Sequence, residues 1–357
     1  MNIVYVHPHQ PWDWELHHWR CLSPAEAINR TRLHSASTLS LYEFIHFTSP
    51  AEQICSQADL LIIQHDLVGK TLTAIQHWKA KEKTVLVDIQ KSPVEMNPDS
   101  PGYEQWLESL LDSGAIEDPN PTTDLITQFG WGLKLVHGAT IPTPRLEKEW
   151  SSYPNLHHLP SFIDTELYSN VSRGSREGTV IGWAPAPSIS QEEVSQNQAI
   201  EAILTLCREE PSLTLHCLNL DENIFDNLLI SETQKVLTIS HKQENWANQL
   251  ASFDLGVLPL TGARHDHHRY VRTLEYMLMD IPWISNLPIF DHFQAEFGWV
   301  IPDQKQAWGN ALSELIRGLT PHQRRGGRSA YLYSISQHID DHVENMLSMY
   351  RSIRNGA

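Results

Sequence analysis

The sequence predicts an α/β protein with two doubly wound parallel sheets, and three observations lead to this fold class. Continuously apolar runs such as residues 60–64 (LLIIQ) and 84–89 (TVLVDI) alternate with helical stretches of about ten residues, which is typical of a buried parallel sheet. The chain has 357 residues, more than one ordinary core accommodates. Residues 165–178 are rich in Ser, Gly and charge without apolar periodicity, and they separate two such alternations.

Composition and charge exclude several classes of protein. The net charge is −17, from 43 acidic and 26 basic residues, which disfavours nucleic acid as a partner. No stretch reaches the ~18 consecutive apolar residues of a membrane span, and the N-terminus (MNIVYVHPH) lacks the features of a secretory signal. The four cysteines have no metal-ligand spacing. We therefore expect a cytoplasmic protein with reduced thiols, no metal and no cofactor.

The first half is predicted to open with a strand, residues 2–6, followed by a loop and a helix. Ser23 is the predicted N-cap of that helix, with Pro24 at the first helical position and Glu26 closing a capping box. Residues 41–47 (LYEFIHF) are predicted as the second strand. The other predicted elements are helix 50–58, strand 60–64, helix 72–81, strand 84–89, helices 103–113 and 123–138, a short strand after 138, helix 144–150 and strand 156–164.

The second half repeats the alternation after the linker. Its predicted elements are strand 179–185, helix 191–208, strand 212–218, helix 222–229, strand 235–240, helix 244–252, strand 254–260, a helix stopped by Pro282, strand 283–285, a short helix and strand in 290–302, and helix 304–319. Residues 321–355 are predicted to be mostly helical, with a break near Gly326 and Gly327.

The stretch 261–288 (TGARHDHHRYVRTLEYMLMDIPWISNLP) is the strongest functional signal. A buried strand runs into an Arg- and His-rich loop, then into a helix with Arg269, Arg272 and Glu275, and then into another strand. In such a unit the ligand lies beyond the carboxyl ends of the strands, where unpaired helix N–H groups point at it. Cationic side chains beside a helix N-terminus favour the binding of a diphosphate. The sequence therefore predicts the donor site of a sugar-nucleotide enzyme.

Several segments resemble the retaining, family-four-like glycosyltransferases of the GT-B fold. Residues 273–286 (TLEYMLMDIPWISN) resemble that family's "EYMAMGIPVVAS", and 254–260 (DLGVLPL) resemble its "DIGIAPL". Further similarity lies in VIGW (180–183), in IPTPRL (141–146) with LPSFIDTELY (159–168), and in HWRCLSPAEAI (18–28). The resemblance covers nearly the whole chain and is weakest at 90–125.

The resemblance implies two Rossmann-like domains that face each other across a cleft. The expected organisation is an acceptor domain at 1–164, a linker at 165–178, a donor domain at 179–325, and a C-terminal helix at 326–357 that packs back toward the first domain. The implied activity is transfer of a sugar from a nucleoside diphosphate sugar to a hydroxyl acceptor: a glycan, a lipid-linked sugar or a small molecule. Retention of configuration and metal independence are implied by the same analogy.

Donor-site roles follow from this resemblance and from side-chain chemistry. Glu275 matches the family glutamate that binds the ribose hydroxyls, and Arg272 either serves the diphosphate or pairs with Glu275 on the same helix face. Arg269 and Arg264 flank the helix start, where Arg suits bidentate phosphate contact. The remaining donor-side candidates are Gly182 and Trp183 in the turn after the strand, and Pro259 and Leu260 as an apolar wall.

Three departures from the family pattern leave other functions open. His267 stands where the family has its first glutamate, Asp280 replaces a helix-ending Gly, and 184–190 lack the family's cations. His267 is a candidate donor to phosphate or sugar hydroxyls. Adjacent side chains in HDHH (265–268) cannot all turn to one ion, so we expect no metal site there. The alternatives are a sugar-nucleotide epimerase and a non-catalytic, degenerate GT-B protein that binds a partner.

The acceptor is expected on the first domain. In the predicted topology His18, Trp19 and Arg20 either point toward the cleft or belong to a surface loop over a helix, and Asp88, which ends a strand, is a further candidate at the cleft. His137 is a further candidate, although the sequence favours a buried structural role for it. The basic cluster 324–328 (RRGGR) permits peripheral membrane contact but is more often a solvated turn. The sequence leaves the base, the sugar, the acceptor and the oligomeric state open.

Overall fold

The computed structural model describes residues 1–8, 14–171, 178–185, 189–240, 245–259, 266–286, 297–318 and 327–356. The chain divides into two compact units. Unit 1 comprises Met1–Phe162 and Ile339–Ala357, and unit 2 comprises Ile163–His338. None of the helices in the described ranges combines the length and apolarity that crossing a bilayer requires.

The secondary structure alternates strands and helices. The strands are β1 Asn2–His7, β2 Ser35–Ser40, β3 Leu60–Gln64, β4 Thr84–Asp88, β5 Gly138–Ile141, β6 Leu156–His158, β7 Thr179–Trp183, β8 Leu213–Leu218, β9 Lys235–Thr238, β10 Leu255–Leu258, β11 Trp283–Ser285 and β12 Trp299–Val300. The helices are α1 Trp14–His17, α2 Ser23–Arg30, α3 Leu41–Ile45, α4 Ser49–Gln57, α5 Lys70–Ala80, α6 Pro101–Asp112, α7 Leu125–Leu135, α8 Pro144–Glu149, α9 Gln191–Gln196, α10 Gln198–Glu209, α11 Glu222–Asp226, α12 Trp246–Leu250, α13 Asp266–Leu278, α14 Lys305–Gly318, α15 Arg328–Ile335 and α16 Ile339–Asn355.

The unit 1 sheet is parallel, in the order β2-β1-β3-β4-β5-β6. Both of its faces are buried, so successive strand residues enter different cores. Val4 and Val6 belong to one core, whereas Ile3 and Tyr5 belong to the other. This explains the continuously apolar strands. Because β2 and β3 flank β1 on opposite sides, the strand order reverses between β1 and β3, and ligands bind open sheets at such a point.

Helix α16 returns the C-terminus to unit 1. It buries one apolar stripe against the core that contains Ile3 and Tyr5; the stripe consists of Ile339, Val343, Met346, Leu347, Tyr350 and Ile353. The hydroxyls of Tyr350 and Tyr5 lie 3.3 Å apart. The preceding helix, α15, belongs to unit 2. The chain therefore passes between units at 338–339, and the expected C-terminal segment 326–357 is divided between them.

The unit 2 sheet has the order β12-β11-β10-β7-β8-β9, so its strand order reverses between β7 and β10. Two glycines let aromatic rings approach this sheet. A Cβ on Gly182 would lie 1.9 Å from the ring of Phe253, and one on Gly256 would lie 2.5 Å from the ring of Tyr276. These rings fix the packing of the central strands.

Two local predictions in unit 1 are wrong. Residues 41–45 form helix α3 because Ser40 and Glu43 form a capping box, in which the Glu43 N–H donates to Ser40 Oγ at 3.3 Å. The second strand is instead the polar edge segment Ser35–Ser40. Ser23 caps nothing, because helical structure runs from Trp14 through a π-helical turn at His18–Leu22 into α2.

Other boundaries differ less. The predicted strand 156–164 is ordered as a strand only at Leu156–His158. The predicted helix 191–208 is divided at Asn197, whose side chain caps α10.

Candidate functional site

The β7/β10 reversal in unit 2 is the candidate donor site. Asn197 connects two elements at this point. Its Nδ2 donates to the Pro259 carbonyl at 2.6 Å, and its Oδ1 accepts from the Ile200 N–H at 3.0 Å. One buried amide thereby joins the end of β10 to the first turn of α10. Asn197 was not among the predicted site residues, although an Asn before a helical stretch is a recognisable N-cap signal.

Helix α13 is the next described helix after β10 in the chain. Its C-terminus is set by Asp280, which has a φ of +55°, and by the Ile281 N–H, which donates to the Tyr276 carbonyl at 2.8 Å. This is a left-handed helix cap of the kind that Gly usually forms. The helix therefore ends before Pro282, the residue predicted to stop it.

Glu275 on α13 is fully buried, and both of its carboxylate oxygens are engaged. Arg272 forms an ion pair with Oε2. Oε1 accepts from the Tyr168 hydroxyl at 2.6 Å and from Trp246 Nε1 at 3.1 Å. The Arg272 guanidinium also lies 4.3 Å from the centre of a Trp246 ring. The pairing of Arg272 with Glu275, the alternative considered for Arg272, is thus present in this structure.

The other predicted residues of α13 are buried on the same helix. Arg269, His267 and His268 are all buried, and the Thr273 hydroxyl donates to the Arg269 carbonyl at 2.7 Å. Within the described ranges, no group of three or more His, Cys, Asp or Glu side chains is placed to hold a metal ion. Leu260 and Arg264 lie outside the described residues.

Gly182 and Trp183 are the last two residues of β7 and not part of a turn. The Cα of Gly182 faces the Phe253 ring. Trp183 is buried in the unit 2 core, where its Nε1 has no hydrogen-bond partner among the described residues. Both residues therefore contribute to packing beneath the sheet's carboxyl edge.

Arg20 and Asp88 form a buried ion pair in unit 1. Arg20 Nε donates to Asp88 Oδ2 at 2.9 Å, and Arg20 Nη1 donates to the Leu159 carbonyl at 2.9 Å. Asp88 also accepts from Thr140 Oγ1 at 2.6 Å and from Gln90 Nε2 at 2.8 Å. These bonds hold the ends of β4 and β5 to the π-helical turn. Trp19, which is also buried, lines a small cavity with the pair.

The two histidine candidates of unit 1 lie in different places. Burial lowers the pKa of His18 to about 4, with Glu15 opposing, so its imidazole is neutral at physiological pH. His137 fits the structural role that the sequence favoured for it over a place at the ligand edge. His137 immediately precedes β5, and its Nδ1 accepts from the N–H of Val85 at 2.9 Å, near the start of β4. It therefore lies at the amino edge of the sheet and has a structural role.

The two residues that donate hydrogen bonds to Glu275, Tyr168 and Trp246, were not predicted from the sequence as site residues. Tyr168 lies in a short 3₁₀ helix, Thr165–Tyr168, within the segment predicted as a linker. Trp246 is the first residue of α12. Both meet Glu275 only through the fold, since Tyr168 is 107 residues away in the chain and Trp246 is 29 away. The resemblance of 159–168 to a family segment was the available signal for Tyr168.

Comparisons with known proteins identify the fold. No family model and no curated protein matches the chain. Sucrose-phosphate synthase from Thermosynechococcus elongatus is similar over 100% of both chains, with a TM-score of 0.66 and 10% identity. Anabaena Alr3699/HepE in complex with UDP and glucose is similar over 99% of both, at 0.63 and 12%. A Listeria monocytogenes protein described as a candidate UDP-N-acetylglucosamine 2-epimerase is similar over 100% of this chain and 97% of its own, at 0.55 and 10%. The chain therefore has the GT-B fold, with two Rossmann-like domains.

Proposed function

From a GT-B fold, we propose that this protein is a glycosyltransferase that moves a sugar from a nucleoside diphosphate sugar to a hydroxyl acceptor. One observation carries the proposal: α13, with Arg269, Arg272 and Glu275, follows β10 at the point where the unit 2 strand order reverses. That is where open α/β sheets bind nucleotides. UDP is the first nucleotide to test, because the names of two structural relatives contain UDP.

The proposed chemistry depends on stabilising the leaving diphosphate. When the bond from the anomeric carbon to the phosphate oxygen breaks, negative charge collects on the nucleotide. The N-terminus of the 13-residue helix α13 supplies a positive dipole end, and Arg269 near it supplies a fixed cation. Because these groups can meet the charge, we propose transfer without a metal. Retention of configuration is proposed by analogy with the resembled family.

Glu275 is proposed to bind the ribose. Its Oε1 already accepts hydrogen bonds from two neutral donors, Tyr168 and Trp246. A carboxylate that accepts two such bonds suits vicinal ribose hydroxyls. We propose that a ribose hydroxyl takes the place of the Tyr168 hydroxyl when the nucleotide binds, while Arg272 keeps its ion pair with Oε2.

A thermal-shift panel tests this function. UDP, GDP, ADP, CMP and their sugar conjugates are added in the presence of a metal chelator. A ligand at a hundred times its dissociation constant stabilises the fold by ~2.7 kcal/mol. One nucleotide should raise the Tm, and Glu275→Gln should clearly reduce that rise. The matched control is Glu201→Gln, which removes an exposed ion pair with Lys305 in the same unit. The proposal fails if no nucleotide raises the Tm of the wild-type protein.

An epimerase is the second candidate, because one structural relative is described as such. An epimerase and a transferase differ in whether they require an acceptor substrate. An epimerase converts UDP-N-acetylglucosamine without an acceptor, whereas a transferase releases UDP in proportion to glycosylated acceptor. The non-catalytic alternative, suggested by His267 and by residues 184–190, predicts neither product.

A further inference from the structure

Helix α15 of unit 2 carries exposed apolar residues that the proposed function does not use. The small side chains of Ala330 and Ser334 are buried, whereas three large ones are exposed: Tyr331 by 40%, Leu332 by 52% and Ile335 by 37%. With 3.6 residues per turn, these three side chains fall within about a third of the helix circumference. They form one continuous apolar surface, which we call the α15 stripe.

The other side of α15 is fixed to unit 2. The Ser334 hydroxyl donates to the Leu274 carbonyl of α13 at 2.6 Å. The ring centre of Tyr333 lies 5.6 Å from that of Phe297. These contacts hold α15 against the candidate donor helix, and the side of α15 that they leave accessible is the α15 stripe.

The α15 stripe lies in a basic segment of an acidic chain. Residues 315–339 contain no Asp or Glu, although the whole chain has a net charge of −17. The basic side chains of this segment include four arginines: Arg317, Arg324, Arg325 and Arg328. Arg317 and Arg328 lie in the described ranges, and both are exposed. Because Arg328 precedes Tyr331 by three residues and Leu332 by four, it lies on the same helix face as the stripe.

Exposed apolar side chains together with arginine fit the surface of an anionic lipid bilayer. Leu and Ile enter the boundary between headgroups and acyl chains, Tyr is favoured at headgroup level, and Arg is attracted to anionic headgroups. Because α15 has only eight residues, it is long enough to lie along a bilayer and too short to cross one. The acidic remainder of the chain is repelled by such a surface, but physiological salt screens that repulsion beyond about 8 Å.

The charge of the segment argues against a second copy of the chain as the partner of the α15 stripe. In a two-fold contact the same surface of both copies meets itself. The two Arg328 side chains would then approach each other, and residues 315–339 offer no carboxylate to pair with them. An anionic bilayer presents the opposite charge and avoids this repulsion.

We propose that α15 docks on an anionic lipid bilayer, with the α15 stripe at the boundary between headgroups and acyl chains and Arg328 on the lipid phosphates. Three apolar side chains with one cation give reversible attachment. Since α15 packs on α13, docking brings the candidate donor site of unit 2 close to the membrane surface. The docking surface does not depend on the transferase activity, because none of its side chains belongs to the proposed donor site.

Vesicle flotation of the full chain tests this surface. The vesicles contain phosphatidylcholine alone or with about one third phosphatidylglycerol, whose headgroup is anionic. We expect binding to the anionic vesicles only, and weaker binding at high salt, because salt screens the lipid charge. The double variant Leu332→Ser with Ile335→Ser should lower the affinity about tenfold or more, and Arg328→Gln should lower it about fivefold.

The matched controls are Leu229→Ser and Lys305→Gln. Leu229 is 74% exposed, Lys305 forms an exposed ion pair with Glu201 at 2.6 Å, and both lie in unit 2 outside residues 315–339. The two controls should bind anionic vesicles as the wild type does. Absence of wild-type binding, or equal binding by the controls and the variants of α15, overturns the proposal.

An environment-sensitive fluorophore measures insertion of the α15 stripe directly. The four native cysteines are buried, so a maleimide-linked nitrobenzoxadiazole reacts at the thiol introduced by Leu332→Cys. On anionic vesicles its emission should rise and shift to the blue, whereas the same label in Leu229→Cys should not respond. Unchanged emission in labelled Leu332→Cys contradicts insertion, even where the protein binds the vesicles.

Analytical ultracentrifugation tests the second copy as the alternative partner. The wild-type protein and the Leu332→Ser, Ile335→Ser double variant should sediment alike in the absence of lipid. A concentration-dependent dimer that the double variant does not form would assign the α15 stripe to a second copy and overturn the membrane proposal.

Discussion

The hydroxyl of Tyr168 donates a hydrogen bond of 2.6 Å to Oε1 of Glu275, the residue proposed to bind the ribose. Tyr168 belongs to the chain segment that enters unit 2, and Glu275 lies on the helix that follows β10. The bond therefore connects the start of unit 2 to its candidate donor site. If a ribose hydroxyl replaces Tyr168, nucleotide binding must break this bond.

Removing the Tyr168 hydroxyl should strengthen nucleotide binding and destabilise the unliganded protein. In Tyr168→Phe the nucleotide no longer competes with the phenol, so we expect the Kd for UDP to fall by a few-fold. The unliganded protein should lose about 1–3 kcal/mol of unfolding free energy, because a hydrogen bond to a charged group is lost. Calorimetry and urea denaturation measure the two effects. Weaker UDP binding in this variant would mean that Tyr168 positions Glu275 for the ligand.

Breaking the buried pair of Arg272 and Glu275 should be strongly destabilising. Arg272→Ala leaves the Glu275 carboxylate buried without its counter-charge, at a cost of about 3–5 kcal/mol. The double variant Arg272→Ala with Glu275→Gln should lose less than the sum of those two single changes, since it leaves no unpaired charge. Denaturant titrations measure these values, with the exposed Arg317→Ala on α14 as control. Additive losses would show that the pair is not coupled.

Replacing Asp66 by Asn should stabilise the protein at neutral pH. Burial raises the folded-state pKa of Asp66, which follows β3, to about 6 against 3.8 for an ordinary Asp, so its contribution to stability falls as the pH rises from about 4 to about 6 and then stays constant. At 1.36 kcal/mol per pKa unit, ionisation at pH 7 costs at most about 3 kcal/mol. The Asn variant should exceed the wild type by up to this amount at pH 7 and match it below pH ~4. Urea denaturation at both pH values is the measurement. A less stable variant at pH 7 would contradict a raised pKa of Asp66.

The end of α13 offers a test of backbone strain. Asp280 has a φ of +55°, so Asp280→Gly should be more stable than Asp280→Ala by about 1 kcal/mol. Both variants lose the carboxylate, and their difference isolates the backbone. Thermal unfolding of the two variants measures it, and equal Tm values would contradict a strained cap.

The features that could be predicted from the sequence are those encoded within a short stretch of the chain. Runs such as residues 60–64 predicted the buried strands and hence the fold, because burial on both faces makes parallel strands continuously apolar. The polar strand Ser35–Ser40 was missed, since an edge strand with one buried residue carries no such run. The Arg272–Glu275 pair was within reach because it spans three residues of one helix.

Contacts between distant segments could not be predicted from spacing. Tyr168 and Asn197 reach their partners across 107 and 62 residues, and only the folded chain brings them together. Two roles stayed open for His137 because a histidine beside a strand does not reveal which edge of the sheet it occupies. The left-handed backbone of His65 carries only a weak sequence signal, because His adopts this conformation more often than most non-glycine residues but still rarely.

A calorimetric titration of UDP into the wild-type protein and Glu275→Gln, with a metal chelator present, tests the central claim most directly. We predict saturable binding of one nucleotide per chain, weakened about tenfold or more by the loss of the Glu275 charge. Absence of binding, or equal affinity in the two proteins, would contradict a donor site built around Glu275.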